Sequence, residues 1–395
     1  MARLSLKDLD VRDKRVLVRV DFNVPLGDDG KIMDDTRIRA SLPTIKYIIE
    51  QGGIPVLVSH LGNPKGEPDP KLSLAPVAER LMQLLNRKIV FAPDCIGDDV
   101  NGMAKSLKAG DVMLLENTRF HAREKGNDPD FSKQIAALGD LYVNDAFGTA
   151  HRAHASVVGV AAYFENAACG LLMEKEIEYL GKVLKNPERP LLAIIGGSKV
   201  STKMHVLFNL VNKVEHLVVG GRMCFTFFRA KQYTIGDTRY ERDLVDDVEE
   251  LLGYRRLYLP DDIVVVTDAK PGIPTKVVPA AHIPHYVKGV DIGPKTREQI
   301  TQFIKEAKTI VWNGPMGIFE IDDFSHGTAA VAHAMAEATE QGATTIAGGG
   351  ETIAALKKFG LMDKISHVST GGGATLEFLE GKLLPGIRVL KHKAA

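Results

Sequence analysis

Short apolar, β-branched runs that stop abruptly at glycine or a polar cluster recur along the whole chain. They constrain its fold more than any other feature. The first half carries "RVLVRVDFN", "IPVLVSHLG", "KIVFAPDCIG", "DVMLLENTRF" and "LYVNDAFG"; the second carries "PLLAIIGGSK", "HLVVGGRM", "DDIVVVTD", "KTIVWNGP", "TTIAGGGET" and "HVSTGGGAT". Unbroken apolar runs suit strands buried on both faces. Between them lie stretches with helical spacing, among them Ala75–Asn86 and Thr296–Lys308. Strands alternating with amphipathic helices predict an α/β chain of doubly wound parallel sheets. Ligands of such sheets bind beyond the carboxyl ends of the strands, and the unusual residues of this sequence gather there.

The chain has 395 residues, enough apolar content for more than one packed core, and a size that predicts two or three domains. Fifty basic and fifty acidic side chains cancel, so no global charge points to nucleic acid or an anionic membrane surface. Cys95, Cys169 and Cys224 lack CxxC spacing, which predicts buried thiols in a reducing compartment. The opening "MARLSLKDLDVRDKRV" has no apolar signal-peptide core, and no later apolar run reaches the length of a membrane span. A cytoplasmic protein is expected. The stretch Leu171–Pro190 has helical periodicity, a charged face, and prolines at 187 and 190. It predicts a helix joining two lobes.

The strand ends of the first lobe are cationic or rich in hydrogen-bonding groups: Asp21, Asn23, Arg37, His60, Arg119 and Arg152. Any one of them alone is more simply a solvated or structural residue. If the parallel sheet brings them to one edge, however, the cluster repels itself unless an anion sits among them. The planar fork of arginine suits carboxylate and phosphate. A small, multiply charged anion is the predicted ligand.

In the second lobe the strand ends are glycine-rich: "GGSKVSTK", "VGGRMCF", "WNGPMGIFE", "GGGET" and "STGGGAT". Tight turns are the plain reading; the functional one is that glycine lets backbone N–H groups approach phosphates. Lys199 and Lys203 follow "GGS" four residues apart, on one helix face if a helix starts there. Two adjacent ammonium groups call for phosphate, so a nucleotide is the natural occupant. Glu351 is the awkward residue, a carboxylate placed directly after three glycines that should form an anion seat. It is either a helix-capping acid or the ligand of a metal ion lying between it and a phosphate.

Absent motifs narrow the chemistry. The sequence has no GxxxxGK[ST], no GxGxxG followed by an acid, and no ordered protein-kinase set. This disfavours a P-loop enzyme and a nicotinamide-dependent dehydrogenase, and leaves a phosphoryl transferase of another lineage. "RVDFNVP", "SHLGNP", "ENTRFH", "NDAFGTAHRAHAS", "GGSKVSTK", "WNGPMGIFE" and "VSTGGGAT" occur in the order found in phosphoglycerate kinases, and the resemblance covers essentially the full length.

That resemblance implies Mg²⁺-dependent, reversible phosphoryl transfer between 1,3-bisphosphoglycerate and ADP, giving 3-phosphoglycerate and ATP in glycolysis. It implies a monomer made of two Rossmann-like domains facing each other across a hinged cleft. The 3-phosphoglycerate domain would span residues 1–172, with 376–395 docking back onto it; an interdomain helix would span 173–188 and the nucleotide domain 189–375. By motif position, Asp21, Phe22, Asn23, Arg37, His60, Leu61, Gly62, Asn63, Arg119 and Arg152 resemble the phosphoglycerate site. Gly197, Lys199, Lys203, Gly221, Asn313, Glu320, Gly349, Gly350, Glu351 and Thr352 resemble the nucleotide site, with Glu351 as the magnesium ligand. Arg37, Lys199, Lys203 and the amides of Gly371, Gly372 and Gly373 would surround the transferred group.

Three positions depart from the family pattern. Glu351 stands where Asp is usual, Asn63 where Arg is usual in "SHLGRP", and Arg222 where a third glycine is usual in "GGGM". They predict shifted metal placement and weaker phosphoglycerate binding, and an arginine that either crowds the nucleotide base or stacks on it. They also leave an alternative, a catalytically weakened paralogue acting as a binding or scaffold protein.

Overall fold

A computed structural model describes residues 3–393. The chain divides into two compact units, one holding everything up to Glu178 together with the segment from Leu383 onward, the other Tyr179–Lys382.

The first unit is built on six strands: β1 (Arg15–Arg19), β2 (Ile54–Val58), β3 (Ile89–Phe91), β4 (Val112–Leu114), β5 (Leu141–Asn144) and β6 (Ala167–Cys169). They form one parallel sheet in the order β3-β4-β2-β1-β5-β6. Val18 sits opposite Leu57 on one side and Val143 on the other. The strands are apolar on both faces because helices cover both. Val16, Val18 and Val20 pack with Ile45 and Ile48 of the helix Thr36–Glu50 and with Val77 and Leu81 of the helix Ala75–Leu85. The second helix stops where Asn86 turns left-handed, at φ 49°, a conformation Asn tolerates better than most residues.

The C-terminal segment is tied to this unit by backbone hydrogen bonds. Leu4 N donates to Lys391 O at 2.8 Å, Lys391 N to Ala167 O at 2.9 Å and Gly386 N to Ala150 O at 2.8 Å.

The helix Leu171–Lys185 begins at Asp145, whose Oδ1 accepts from Leu172 N at 2.9 Å and Met173 N at 3.2 Å. The chain passes from the first unit to the second inside this helix, between Glu178 and Tyr179.

The second unit carries β7 (Leu191–Ile195), β8 (His216–Val219), β9 (Thr234–Ile235), β10 (Leu257–Tyr258), β11 (Asp262–Val266), β12 (Lys276–Pro279), β13 (His282–Ile283), β14 (Lys288–Ile292), β15 (Thr309–Asn313), β16 (Thr344–Gly348) and β17 (His367–Ser369). Six of them make a second parallel sheet in the order β10-β8-β7-β15-β16-β17. Trp312 is fully buried in its core and donates from Nε1 to Gly314 O at 2.8 Å.

One apolar run departs from the expected pattern. "DDIVVVTD" becomes β11, which leaves the parallel sheet and pairs antiparallel with β12 and β14. An apolar run specifies a buried strand but not the direction of its partner.

Each large sheet reverses its winding at one place, between β1 and β5 in the first and between β7 and β15 in the second. Crevices open at the carboxyl ends of such strand pairs. Among the described residues, no helix is long and apolar enough to cross a membrane.

Candidate active site

In the first unit, the carboxyl ends of β1 and β2, the turn after β4 and the first turn of the helix Thr36–Glu50 bring five of the predicted polar residues together; Arg37 comes from that helix and not from a strand end. Arg37 Nη1 lies 3.1 Å from Asp21 Oδ2 and donates to Asn23 O at 3.0 Å. Asn23 Oδ1 accepts from Gly62 N at 2.8 Å, and Arg119 Nη1 donates to Gly62 O at 2.6 Å. His60 is buried, and its Nδ1 lies 3.1 Å from Arg19 Nη2.

Electrostatics confirm the grouping. Burial, then the charges of Arg19, Arg119, Arg152 and Arg37, hold the His60 imidazole well below its ordinary pKa. Burial and the neighbouring Arg152 and Arg19 push the Arg119 guanidinium down to about 10. Arg119 Nε is buried with no hydrogen-bond partner among the described residues. Crowded cations and a buried donor of this kind favour an anionic partner.

Phe22 and Leu61 pack their side chains into the core; only their backbone can face a ligand. Arg152 is exposed and donates from Nε to His151 Nε2 at 3.1 Å. Asn63 is also exposed, and its Oδ1 accepts from Lys125 Nζ.

Sequence reasoning missed the buried support of this cluster. Arg19 is 1% exposed. Its Nε donates to Ser156 Oγ at 2.8 Å, and that hydroxyl donates on to the buried Glu124 at 2.6 Å. A charge on a strand of the sheet is thus balanced by an acid more than a hundred residues away in sequence. "RVLVRV" holds the only sequence signal, an arginine inside an otherwise apolar strand.

In the second unit, the turns after β7, β8 and β15 line an open cleft of about 190 Å³ that includes Gly197, Gly221, Arg222, Glu320 and Glu351. The glycines are there because nothing larger fits. Gly221 and Gly314 have φ of 65° and 97°, and a Cβ on Gly221 would lie 2.5 Å from Gly197 N. Lys203 is 8% exposed and donates from Nζ to Gly196 O at 2.5 Å and Asn313 O at 3.3 Å. Burial, opposed by the Glu351 carboxylate, lowers its pKa to about 8.

The two lysines do not share a helix face as the spacing predicts. The helix starts only at Met204, with Lys203 as its cap residue, because Glu241 takes up the amides of Val200 and Ser201 in a turn instead. Lys199 is exposed while Lys203 is buried. Thr352 Oγ1 accepts from Gly314 N at 2.7 Å, and Asn313 Nδ2 donates to Gly348 O at 2.9 Å, so these two shape the glycine turns. Gly349, at φ 94°, precedes the helix Gly350–Lys358, and Glu351 is exposed in its first turn. Gly371, Gly372 and Gly373 lead into the short helix Gly373–Leu379 after β17. Phe225, the last residue of "VGGRMCF", also lines the cleft, as do Gly289 and Asp291; the last two come from outside the glycine motifs and carried no sequence signal.

The family model described as phosphoglycerate kinase matches residues 6–382. The chain belongs to the phosphoglycerate kinase family. A phosphoglycerate kinase of Thermosipho africanus is 52% identical, covering 100% of this chain and 99% of its own. One of Chlorobium limicola is also 52% identical, covering 99% of this chain and 100% of its own. The solved structure of phosphoglycerate kinase from Coxiella burnetii is 42% identical and matches with a TM-score of 0.88, covering 98% of each chain. Membership makes the chain a kinase, a transferase with a nucleotide substrate, and the two parallel-sheet units carry that family's fold.

Proposed function

We infer that the chain catalyses reversible phosphoryl transfer between 1,3-bisphosphoglycerate and ADP, giving 3-phosphoglycerate and ATP. The observation that carries the substrate assignment is the arginine and histidine cluster of the first unit, with the unmet donor at Arg119 Nε. Its fork-shaped donors fit a carboxylate and a phosphate. Asp21, paired with Arg37, offers an acceptor for a substrate hydroxyl. In the second unit, Lys199 and Lys203 supply charge to the nucleotide phosphates, and the turns at Gly197 and Gly221 admit them to the backbone. Glu320 lies at the cleft edge, where it can accept from ribose hydroxyls.

Glu351 suits Mg²⁺, because an exposed carboxylate beside glycine turns is a hard oxygen donor within reach of bound phosphates. When bound, the ion neutralises charge on the phosphate oxygens. The chain itself positions the reactants and matches charge on the moving group: Arg37 would contribute from the first unit, and Lys199, Lys203 and the amides of Gly371 to Gly373 from the second. No side chain needs to carry the phosphoryl group. The helix Leu171–Lys185 carries the chain from one unit to the other. The enzyme works as a cytoplasmic monomer on this reading. The scaffold alternative draws on nothing beyond the substitutions at 63, 222 and 351.

The deciding experiment is a coupled assay with 3-phosphoglycerate, ATP and Mg²⁺, in which product formation is followed through NADH oxidation. Turnover that needs all three, with inversion at a chirally labelled γ-phosphorus, is expected. Absent turnover, or a trapped phosphoenzyme, would overturn the reading.

A further inference from the structure

Among the described residues, one group of three metal-ligating side chains has its donor atoms within 4.8 Å of one another: Asp94, Cys95 and His121. Asp94 and Cys95 follow β3, and His121 lies between two short 3₁₀ turns, Thr118–Phe120 and Ala122–Glu124. Asp94 Oδ1 is 2.7 Å from His121 Nε2 and accepts from Cys95 N at 2.6 Å. The His121 ring lies 5.1 Å from the Phe131 ring, which holds its plane.

We propose that Asp94, Cys95 and His121 form a binding site for a thiophilic divalent transition metal of the Zn²⁺ class, outside the phosphoryl-transfer site.

The donor set is one thiol, one imidazole and one carboxylate. Soft and borderline ligands of this kind select zinc-like ions over Mg²⁺ or Ca²⁺, which take oxygen alone. The charges balance, because a thiolate and a carboxylate neutralise a divalent ion.

Access and depth are suitably arranged. Asp94 and His121 side chains are 45% and 23% exposed, giving an entry path and room for water as a fourth ligand. Cys95 is fully buried beneath them. A tetrahedral ion with a Zn–S bond of about 2.3 Å and Zn–N and Zn–O bonds of about 2.0–2.2 Å sets its donors about 3.3–3.6 Å apart. The Asp94–His121 contact therefore opens by about 0.6 Å on binding, a small shift for two partly exposed side chains. On binding, the Sγ–H bond breaks, the proton leaves to buffer, and the Sγ–metal bond forms. His121 binds through the Nε2 lone pair and releases nothing if neutral.

The site has a defined neighbour. The turn carrying His121 also carries Arg119, and Glu116 N donates to Asp94 O at 3.4 Å. A bound ion would tie the turn after β3 to the turn that presents Arg119. The proposal does not depend on the kinase reading, and its test uses no turnover.

The test is a titration of the reduced full-length chain with Co²⁺, followed by absorption. Expected are one equivalent bound, a near-ultraviolet thiolate-to-cobalt band, visible bands of tetrahedral intensity, about one proton released per ion, and displacement by Zn²⁺. Cys95→Ser should abolish the near-ultraviolet band. His121→Asn, at a partly exposed position that tolerates change, should weaken binding at least tenfold, and it decides the matter if Cys95→Ser fails to fold. Cys169→Ser and Cys224→Ser should leave the spectrum unchanged. No thiolate band at excess Co²⁺, or a band that survives in both Cys95→Ser and His121→Asn, would overturn the proposal.

Discussion

Lys125 Nζ donates to Asn63 Oδ1 at 2.5 Å, and this pair brings a cation to the rim of the first unit's arginine cluster. The lysine charge reaches His154, where it joins Arg119, Arg19 and Arg152 in lowering the imidazole pKa. Asn63 stands where the family pattern has Arg. We propose that Lys125, a lysine from a different turn anchored by the asparagine, makes up for the missing arginine. Lys125→Ala should raise the KM for 3-phosphoglycerate roughly fivefold, about 1 kcal/mol for a charge-assisted contact at an exposed rim, with kcat little changed. Asn63→Arg in that background should restore the KM. Steady-state kinetics decide it, and an unaltered KM in Lys125→Ala refutes the role.

Lys203 links nucleotide affinity to pH. Its pKa in the folded chain is about 8 because burial outweighs the Glu351 carboxylate; the ordinary value is 10.5. Bound phosphates favour the ammonium, so binding takes up a proton above pH 8. ADP affinity should therefore fall by up to about tenfold per pH unit from pH 8 upward. Lys203→Met should remove that slope and lower kcat by about 100-fold. Calorimetric titrations between pH 7 and 9.5 supply the measurement, and a flat dissociation constant in the native chain contradicts the assignment.

The sheets were legible because burial on both faces forces apolar strands, and the ends of those strands are where "RVDFN", "SHLG" and "WNGP" change character. The grouping of Asp21, Asn23, His60 and Arg119 was legible for a related reason, since parallel strands bring their following turns to one edge; Arg37 joins them from the helix Thr36–Glu50. What stayed hidden depends on long-range partners. The helix near Lys199 starts late because Glu241, forty residues on, accepts the amides of Val200 and Ser201. Arg19 reads as an interruption in a strand until Ser156 and Glu124 fold against it. β11 reads like its parallel neighbours because "DDIVVVTD" is equally apolar; its antiparallel pairing is decided by β12 and β14.

His154 predicts a limb of acid instability. Burial and then Arg119, Arg19, Arg152 and Lys125 lower its pKa from 6.5 to about 4. Between those values the unfolded chain binds the extra proton, so stability is fully present above pH 6.5 and is lost as pH falls toward 4. Discounted for partial solvation, the loss is roughly 1–2 kcal/mol. Urea unfolding at pH 7.5 and pH 5 should show a smaller difference for His154→Gln than for the native chain; equal differences would assign the limb elsewhere.

Glu351 is a methylene longer than the family's usual Asp, and its carboxylate lies 3.6 Å from where a Cβ on Gly197 would sit. Magnesium demands near-octahedral geometry at about 2.1 Å, so a longer arm would shift the seat of an ion held by this carboxylate. Glu351→Asp should lower the Mg²⁺ concentration for half-maximal rate or raise turnover. Magnesium titrations that superimpose for the two proteins dismiss the effect.

Gly314 joins backbone geometry to the nucleotide site. Its φ of 97° is one that side chains rarely adopt. A Cβ there would meet Gly196 O at 2.3 Å and Lys203 Nζ at 2.5 Å. Gly196 O is also the acceptor that holds Lys203, and Gly314 N donates to Thr352 Oγ1. Substitution therefore strains the turn and dislodges the buried lysine in one step. Gly314→Ala should cost about 1–3 kcal/mol of stability and raise the KM for ATP at least tenfold, while the KM for 3-phosphoglycerate, which we assign to the other unit, changes little. Denaturation midpoints and two-substrate kinetics separate these effects. A variant with native ATP affinity would show that the turn does not position Lys203.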